Sequence, residues 1–491
     1  MSGFQRSLRA VGHWRTATRV ALGALLACVA SSAQASSYPE AKGDIASGEE
    51  IFMHRWTPGD SRSRGGDGLG PVFNARSCAA CHHQGGAGGA GGQDANVQVL
   101  RVNRADAPFS NFKPPLIDHS EAGEVHPLLK SERSTVLHKY STGDGYETWR
   151  KERVAKSGPS TLQMYYGSVP VEALTSQIDV AALKSDFDGV AASIQFAFFQ
   201  RTETATTRRL TSVEEISASP LFGSGLIDDI PDRAIEDASK ARLKFAAAVG
   251  RVSRLPDGRI GRFGWRANRA TLHEFTLDAC ANELGLETPD RMQPLDPRAD
   301  KSANPGYDLS KQDCDDLTAY LKSLPRPTQI DSTGPGVREG RKWFSKVGCA
   351  DCHRADLGPV QGIYSDLLLH DMSPLSSSGT YGRIIRAQVA KADRARHRGK
   401  KFASGVSPTE WRTPPLWGCR DSGPYMHDGR ANTLDQAILA HTGQALASLG
   451  VYKSLSREKQ QQIVAFLNSL AAPKDVLQVP ALELAAARNP Q

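Results

Sequence analysis

The chain has 491 residues, 39% of them hydrophobic and 23% charged, with 45 glycines, 28 prolines, 8 cysteines and a formal charge of +7. That length suffices for roughly two to four domains with real cores, and the composition excludes a fibre or a wholly disordered chain. Eight cysteines are too few for a disulfide-built scaffold of this size, so how they are spent is the informative question.

In chain order, Arg6, Arg9, Arg15 and Arg19 precede an apolar run from Val20 to Ala30 and then Ala33-Gln34-Ala35. A basic start, an apolar stretch too short to span a bilayer and an A-x-A site identify residues 1–35 as a signal peptide, and the mature protein is expected in the periplasm. A second reading takes Leu25-Leu26-Ala27-Cys28 as a lipoprotein signal with a lipid anchor on Cys28 at the outer membrane, although Ala35 offers the better-placed ordinary cleavage site. Without the signal, 60 basic residues less four arginines leave 56 against 53 acids, so +7 becomes +3. Nucleic-acid binding thereby loses its motivation.

The stretch Gly48-Glu-Glu-Ile-Phe52 reads as a helix ahead of Cys78-Ala-Ala-Cys-His82. Two thiols one helical turn apart can add to the two vinyl groups of one haem, and the adjacent histidine then presents its imidazole to the iron. Cys349-Ala-Asp-Cys-His353 repeats the motif, so two covalently attached haem c groups are expected, with His82 and His353 as proximal ligands. A thioredoxin-type site would not need the histidine twice, and a four-cysteine zinc site would have to join pairs most of a chain apart. The glycine-rich tract Gly85–Gly92 is read as a flexible loop beside the haem, since it lacks the ending of a phosphate loop. A strand is expected at Val97–Val102, and helices at 180–200 and 232–248.

The second half copies the first. Gly340-Arg-Lys-Trp-Phe344 matches Gly48–Phe52, and Ile463-Val-Ala-Phe-Leu-Asn-Ser-Leu470 matches Leu317-Thr-Ala-Tyr-Leu-Lys-Ser-Leu324, each with amphipathic spacing and a proline stop. An N-terminal helix, the haem motif and a crossing C-terminal helix make a cytochrome c-like unit. The fold is therefore expected to be mainly α, with two such domains at 45–326 and 334–473, the first enlarged by insertions with minor β. The linker Pro325–Pro335 has the composition of a boundary. Of the remaining cysteines, Cys280–Cys314 is the favoured disulfide, which leaves Cys419 as a buried thiol. Between Arg383 and Lys401 eight basic residues stand against Asp393, a solvated face or a docking patch for an acidic partner.

Further strings carry a resemblance. Tyr364-Ser-Asp-Leu-Leu-Leu-His-Asp-Met372, Glu410-Trp-Arg-Thr-Pro-Pro-Leu-Trp-Gly418, Tyr425-Met-His-Asp-Gly-Arg430 and Ala437-Ile-Leu-Ala-His441 lie in the second half. Gly70-Pro-Val-Phe-Asn-Ala-Arg-Ser77, Leu221-Phe-Gly-Ser-Gly-Leu-Ile-Asp228 and Arg262-Phe-Gly-Trp-Arg-Ala267 lie in the first. Together they resemble the di-haem oxidoreductase, putative peroxidase family, relatives of the bacterial di-haem cytochrome c peroxidases. Residues 95–210 match poorly.

The resemblance implies that the second haem takes His441 as its other axial ligand, where the cytochrome c peroxidases place methionine; Met372 and Met426 compete for the role. Bis-histidine ligation lowers the reduction potential relative to His/Met. Trp265 falls where the family has an inter-haem electron relay, against the plain reading of a core tryptophan. At the family's peroxide-site glutamine this chain has Phe275, and Glu283 reaches the glutamate position only if two residues are deleted. Phenylalanine cannot pass a proton, so His273 and Glu283 become the candidates for catalysis, His273 also as a distal ligand. Arg412, His427 and Arg430 are candidates for the haem propionates. The family's calcium uses carbonyls here belonging to Thr413 and Pro415, but Ser217 stands near its asparagine position, which leaves calcium unsupported. The implied partners are a small redox donor protein of cytochrome or cupredoxin type and hydrogen peroxide or another small substrate. A non-enzymatic electron carrier is the alternative that Phe275 favours.

Overall fold

The computed structural model describes residues 43–102, 119–159, 163–170, 193–200, 210–299, 306–372, 406–407 and 409–480. The expected signal peptide, Cys28 and the basic stretch from Arg383 to Lys401 lie outside them. The described chain is mostly helical with minor β. The helices that position the site are α1 (Ile45–Met53), α2 (Leu272–Leu284), α3 (Lys311–Ser323), α4 (Pro335–Lys346), α5 (Leu434–Leu439) and α6 (Arg457–Asn468).

Each start is chemically marked. The Asp44 carboxylate accepts from Ser47 N at 2.8 Å ahead of α1, Ser310 and Asp313 form a reciprocal capping box on α3, and Pro335 opens α4 where a missing N–H costs nothing. The expected repeat is then visible as two helix crossings, α1 on α3 and α4 on α6. In both, the repeated glycine is the point of contact. A Cβ on Gly48 would lie 2.1 Å from Asp316 O, and one on Gly340 would lie 1.8 Å from Gln462 O. Glycine thus lets the backbones touch, and the phenylalanine four residues on packs beside the crossing: Phe52 on Tyr320 and Phe344 on Phe466, both with ring centroids 5.2 Å apart.

Val97–Val102 (β1) is a strand, as its pattern predicts. It lies in a four-stranded sheet in the order β2-β1-β6-β3, where β2 is Ser134–Val136, β6 is Thr211–Ile216 and β3 is the short Gly158–Pro159 strand, which alone in this sheet runs parallel to its neighbour. Gln163–Pro170 (β4) and Ser193–Gln200 (β5) form a separate antiparallel pair. The helix expected over 180–200 is therefore corrected at 193–200, where Ile194, Phe196 and Phe198 recur with period two, the spacing of a strand. The helix expected over 232–248 runs only from Asp232 to Ala238, with a single 3₁₀ turn at Ala246–Ala248. Between them the N–H groups of Lys244 and Phe245 are taken by the Asp351 carboxylate at 2.9 and 2.8 Å, which draws the chain off the helical path.

Each helix crossing sits in its own buried apolar cluster. One gathers α1, α2 and α3 with Leu357, Ile363, Leu367 and Trp417; the other gathers α4 and α6 with Phe245. The linker is tied down as well, since Thr328–Gln329 pairs antiparallel with Leu470–Ala471 and Ile330 N donates to Ser469 O.

Candidate functional site

Each C-x-x-C-H forms one tight turn. Cys81 N and His82 N both reach Cys78 O at 3.1 Å, and His353 N reaches Cys349 O at 2.9 Å after the left-handed Gly348. The two thiols of each pair and the following imidazole line one cavity: Cys78, Cys81 and His82 the first, Cys349, Cys352 and His353 the second. Burial pushes the Cys78 and Cys349 thiols up to about 12.

The histidines are set identically. His82 Nδ1 lies 3.1 Å from Gly89 O and His353 Nδ1 lies 3.0 Å from Tyr364 O. A carbonyl can only accept, so Nδ1 carries the proton in both and Nε2 keeps its lone pair for a metal. Burial holds both imidazoles neutral, down to about 4. The glycine tract is what places Gly89 O. It is a buried turn folded back on the motif rather than the flexible loop expected: Gly88 N donates to His82 O at 2.9 Å, and a Cβ on Gly89 would sit 1.8 Å from Gln84 O.

Across the second cavity stands His441, just past α5. Its Nδ1 donates to Ala437 O at 2.8 Å, burial lowers its pKa, and its ring centroid lies 6.4 Å from that of His353 at 67°. An iron bound to two imidazole nitrogens at about 2 Å each sets the ring centroids about 6 Å apart, so the pair fits one haem iron. Met372 and Met426 also line this cavity, packed against Ala440. In the first cavity His82 is the sole histidine among the described lining residues, and no methionine is among them.

The other predicted residues divide. Glu283 lines the first cavity, where its Oε2 accepts from Asn74 Nδ2 at 2.8 Å. His273 does not. It leaves the same helix on the flank facing α3, where Nδ1 meets Thr318 Oγ1 at 2.9 Å and lies 4.0 Å from Asp315. Phe275 lines both cavities, with its ring stacked on Phe263. Trp265 also lines both, and its indole N–H donates to Ser217 O at 3.0 Å.

Arg412 is buried in the wall of the second cavity, with Nε on Gly264 O at 2.8 Å and no carboxylate partner among the described residues; burial pulls it down to about 10. Such a cation wants an anion, and a haem propionate answers that chemistry. His427 lines the same cavity, but its ring stacks on Trp411 at 3.7 Å. Arg430 lines neither cavity and is paired with Asp428, a neighbour that already neutralises it.

Two of the residues considered for calcium, Thr413 and Ser217, are engaged within the protein. Thr413 O accepts from Ser365 Oγ at 2.7 Å, and Ser217 spends its Oγ on Met426 O and its carbonyl on Trp265. Cys280 and Cys314 are buried separate thiols rather than the disulfide expected, and Cys419 is a buried thiol donating to Leu467 O.

Sequence reasoning missed three members of these walls, Trp411, Arg266 and His370, and one supporting residue, Asn74, although all four sit inside the family strings. Trp411 lines both cavities, Arg266 lies over its ring, and Asn74 holds Glu283. His370 is buried with Nε2 2.9 Å from Asp366 and Nδ1 3.5 Å from Cys352 Sγ. Burial alone would depress it, but the Asp366 hydrogen bond, helped by the Cys352 sulfur, prevails and raises it to about 10.

The chain is similar to several known proteins. The γ subunit of hydrazine synthase from Kuenenia stuttgartiensis is 26% identical over 169 residues, covering 31% of this chain and 48% of that one. The methylamine utilization protein MauG of Methylorubrum extorquens is 28% identical over 158 residues (30% and 38%), and the cytochrome c551 peroxidase of Nitrosomonas europaea is 24% identical over 144 (29% and 36%). The chain thus spans between about a third and a half of the length of these curated relatives. Among solved structures, the K. stuttgartiensis hydrazine synthase aligns with a TM-score of 0.23 at 22% identity, over 33% of this chain and 57% of that one. A MauG-like protein associated with microbial copper homeostasis aligns with 0.27 at 15% identity, over 51% and 86%. Residues 215–470 match the family model described as di-haem oxidoreductase, putative peroxidase, and that match takes in more than half of the sequence: the chain belongs to this family of oxidoreductases.

Proposed function

We propose that the chain is an exported c-type di-haem oxidoreductase that reduces hydrogen peroxide at the His82 site with electrons delivered through the His353/His441 site. One observation carries this reading. The second cavity holds two imidazoles at iron-spanning distance, whereas the described lining of the first offers His82 and no other histidine or methionine. An iron held from one side can take a small molecule on the other; one held from both sides transfers electrons. Haem supplies the redox chemistry, and the chain's own groups do the rest. Cys78, Cys81, Cys349 and Cys352 anchor it, Arg412 receives a propionate, Glu283 moves protons to peroxide and Trp265 bridges the two sites. The cytochrome c551 peroxidase among the relatives supports the choice of substrate. A signal peptide over residues 1–35 supports export, because c-type haem is attached outside the cytoplasm, and a small redox protein is the electron donor the arrangement needs.

EPR of the oxidised and half-reduced holoprotein tests the proposal, with one open and one bis-histidine iron expected and a spectral change on adding peroxide. Two six-coordinate irons that ignore peroxide would instead establish the second reading, a non-enzymatic electron carrier. That reading draws on Phe275, which packs on Phe263 as an apolar wall where the peroxidases have a proton-handling glutamine.

A further inference from the structure

The aromatic rings that line both cavities among the described residues are Trp265, Phe275 and Trp411. The phenyl ring of Phe275 is far harder to oxidise than an indole, so the two tryptophans are the redox-capable rings that border both sites. They are held in register with each other. Arg412, the residue after Trp411, donates its N–H to Trp265 O at 3.0 Å and its Nε to Gly264 O at 2.8 Å, which pins the two segments together. Trp411 is only 7% exposed and is held by two groups: the His427 ring stacks on it with centroids 3.7 Å apart and planes 21° apart, and the Arg266 guanidinium lies over it, 4.9 Å from its centre. Stacking at that distance makes a rigid π-pair, and Trp411–His427 reaches from the first cavity wall into the second.

We infer that Trp411, stacked on His427, is a second arm of the electron path between the two haem sites, alongside Trp265, and that Arg266 tunes it. In each transfer one electron leaves the His353/His441 site and one arrives at the His82 site, tunnelling through the occupied π orbitals of the indole, which is not itself oxidised because a ferric haem cannot take its electron. The Arg266 charge lowers those orbitals and weakens the coupling they provide, so Arg266 holds this arm below its full rate. At Trp265 the N–H bond to Ser217 O raises them instead. The inference rests on both cavities being haem sites, not on peroxide reduction.

The test uses the full-length holoprotein with both haems. A laser flash injects one electron from a ruthenium tris-bipyridine photosensitiser, and its redistribution between the two haem absorption bands gives the inter-haem rate without peroxide. Trp411→Phe is expected to slow redistribution about tenfold, and Trp411→Tyr, which keeps a more electron-rich ring, to recover part of the loss. Arg266→Gln is expected to accelerate it once the haem potentials, measured by titration, are accounted for; a purely structural Trp411 would not respond in this direction. A wild-type rate in Trp411→Phe overturns the inference. Should that variant fail to load both haems, Arg266→Gln decides, and an unchanged or slower rate there overturns it equally. A protein that redistributes electrons as expected but ignores peroxide would leave this inference standing and overturn peroxide reduction alone.

Discussion

The glycine at the α4–α6 crossing invites a direct test. In Gly340→Ala the new Cβ would sit 1.8 Å from Gln462 O, a backbone atom that no rotamer change can move. Ordinary contact begins near 3.4 Å, so the helices must part by about 1.6 Å. That opens the Phe344–Phe466 pair, now at 5.2 Å, and the Phe344–Tyr364 edge contact at 6.2 Å, the packing that backs His353. Overpacking of this kind costs about 1–3 kcal/mol or more, against about 1 kcal/mol recovered from the helix propensity of alanine. A clash with a backbone atom falls at the upper end of that range, about 2–3 kcal/mol, so the net expectation is a loss of about 1–2 kcal/mol. Gly336, one helical turn earlier, is the internal control, because a Cβ there meets nothing within 4 Å. Gly336→Ala should therefore stabilise by about 0.5–1 kcal/mol. Chemical denaturation followed by the absorbance of the haems reads both. Equal stabilities for Gly340→Ala and wild type, or a loss in Gly336→Ala matching that in Gly340→Ala, would refute the close-crossing explanation of the repeated glycines.

His441→Ala should convert the second haem to high spin while mass spectrometry still finds both haems attached, and an unchanged low-spin spectrum would remove His441 as ligand. Glu283→Gln should lower peroxide turnover by about 10²–10⁴-fold with the low-spin haem signal untouched; full activity would acquit Glu283. The His370–Asp366 pair makes stability depend on pH with a definite sign. A histidine raised from its ordinary 6.5 to about 10 in the folded state contributes fully below pH 6.5, and the contribution is lost as pH rises through about 10. Unfolding free energy should thus fall between pH 7 and 10 at up to about 1.4 kcal/mol per pH unit, and Asp366→Asn should flatten that slope. A denaturation series across this range that is equally steep in the variant would exclude the pair as its source.

What the sequence by itself determined is local and covalent. Two cysteines and a histidine within five residues form one turn whatever surrounds them, so both haem motifs were legible as sites. Gly48 and Gly340, with a phenylalanine four residues on, announced the helix crossings, and the valine-rich run Val97–Val102 announced a strand. Family strings pointed to Trp265, Glu283 and His441, and the cavities contain all three.

Only the tertiary structure decided which neighbours share a wall. Glu283 and His273 ride on one helix, yet α3 takes the histidine through Thr318 and leaves the glutamate with Asn74, more than two hundred residues away in the chain. Arg430 fitted the propionate role by type, but Asp428 beside it holds its charge. Trp411 and His370 lie in the family strings with no role legible there; the pairing of β7 (Leu369–Asp371) with β8 (Glu410–Arg412) sets them at the cavity walls. The physical reason is range. Turn geometry and helical period act over a few residues, whereas facing imidazoles, a stacked indole or an orphaned guanidinium exist only after distant segments have closed on one another, and no local pattern records which of several equivalent side chains that closure selects.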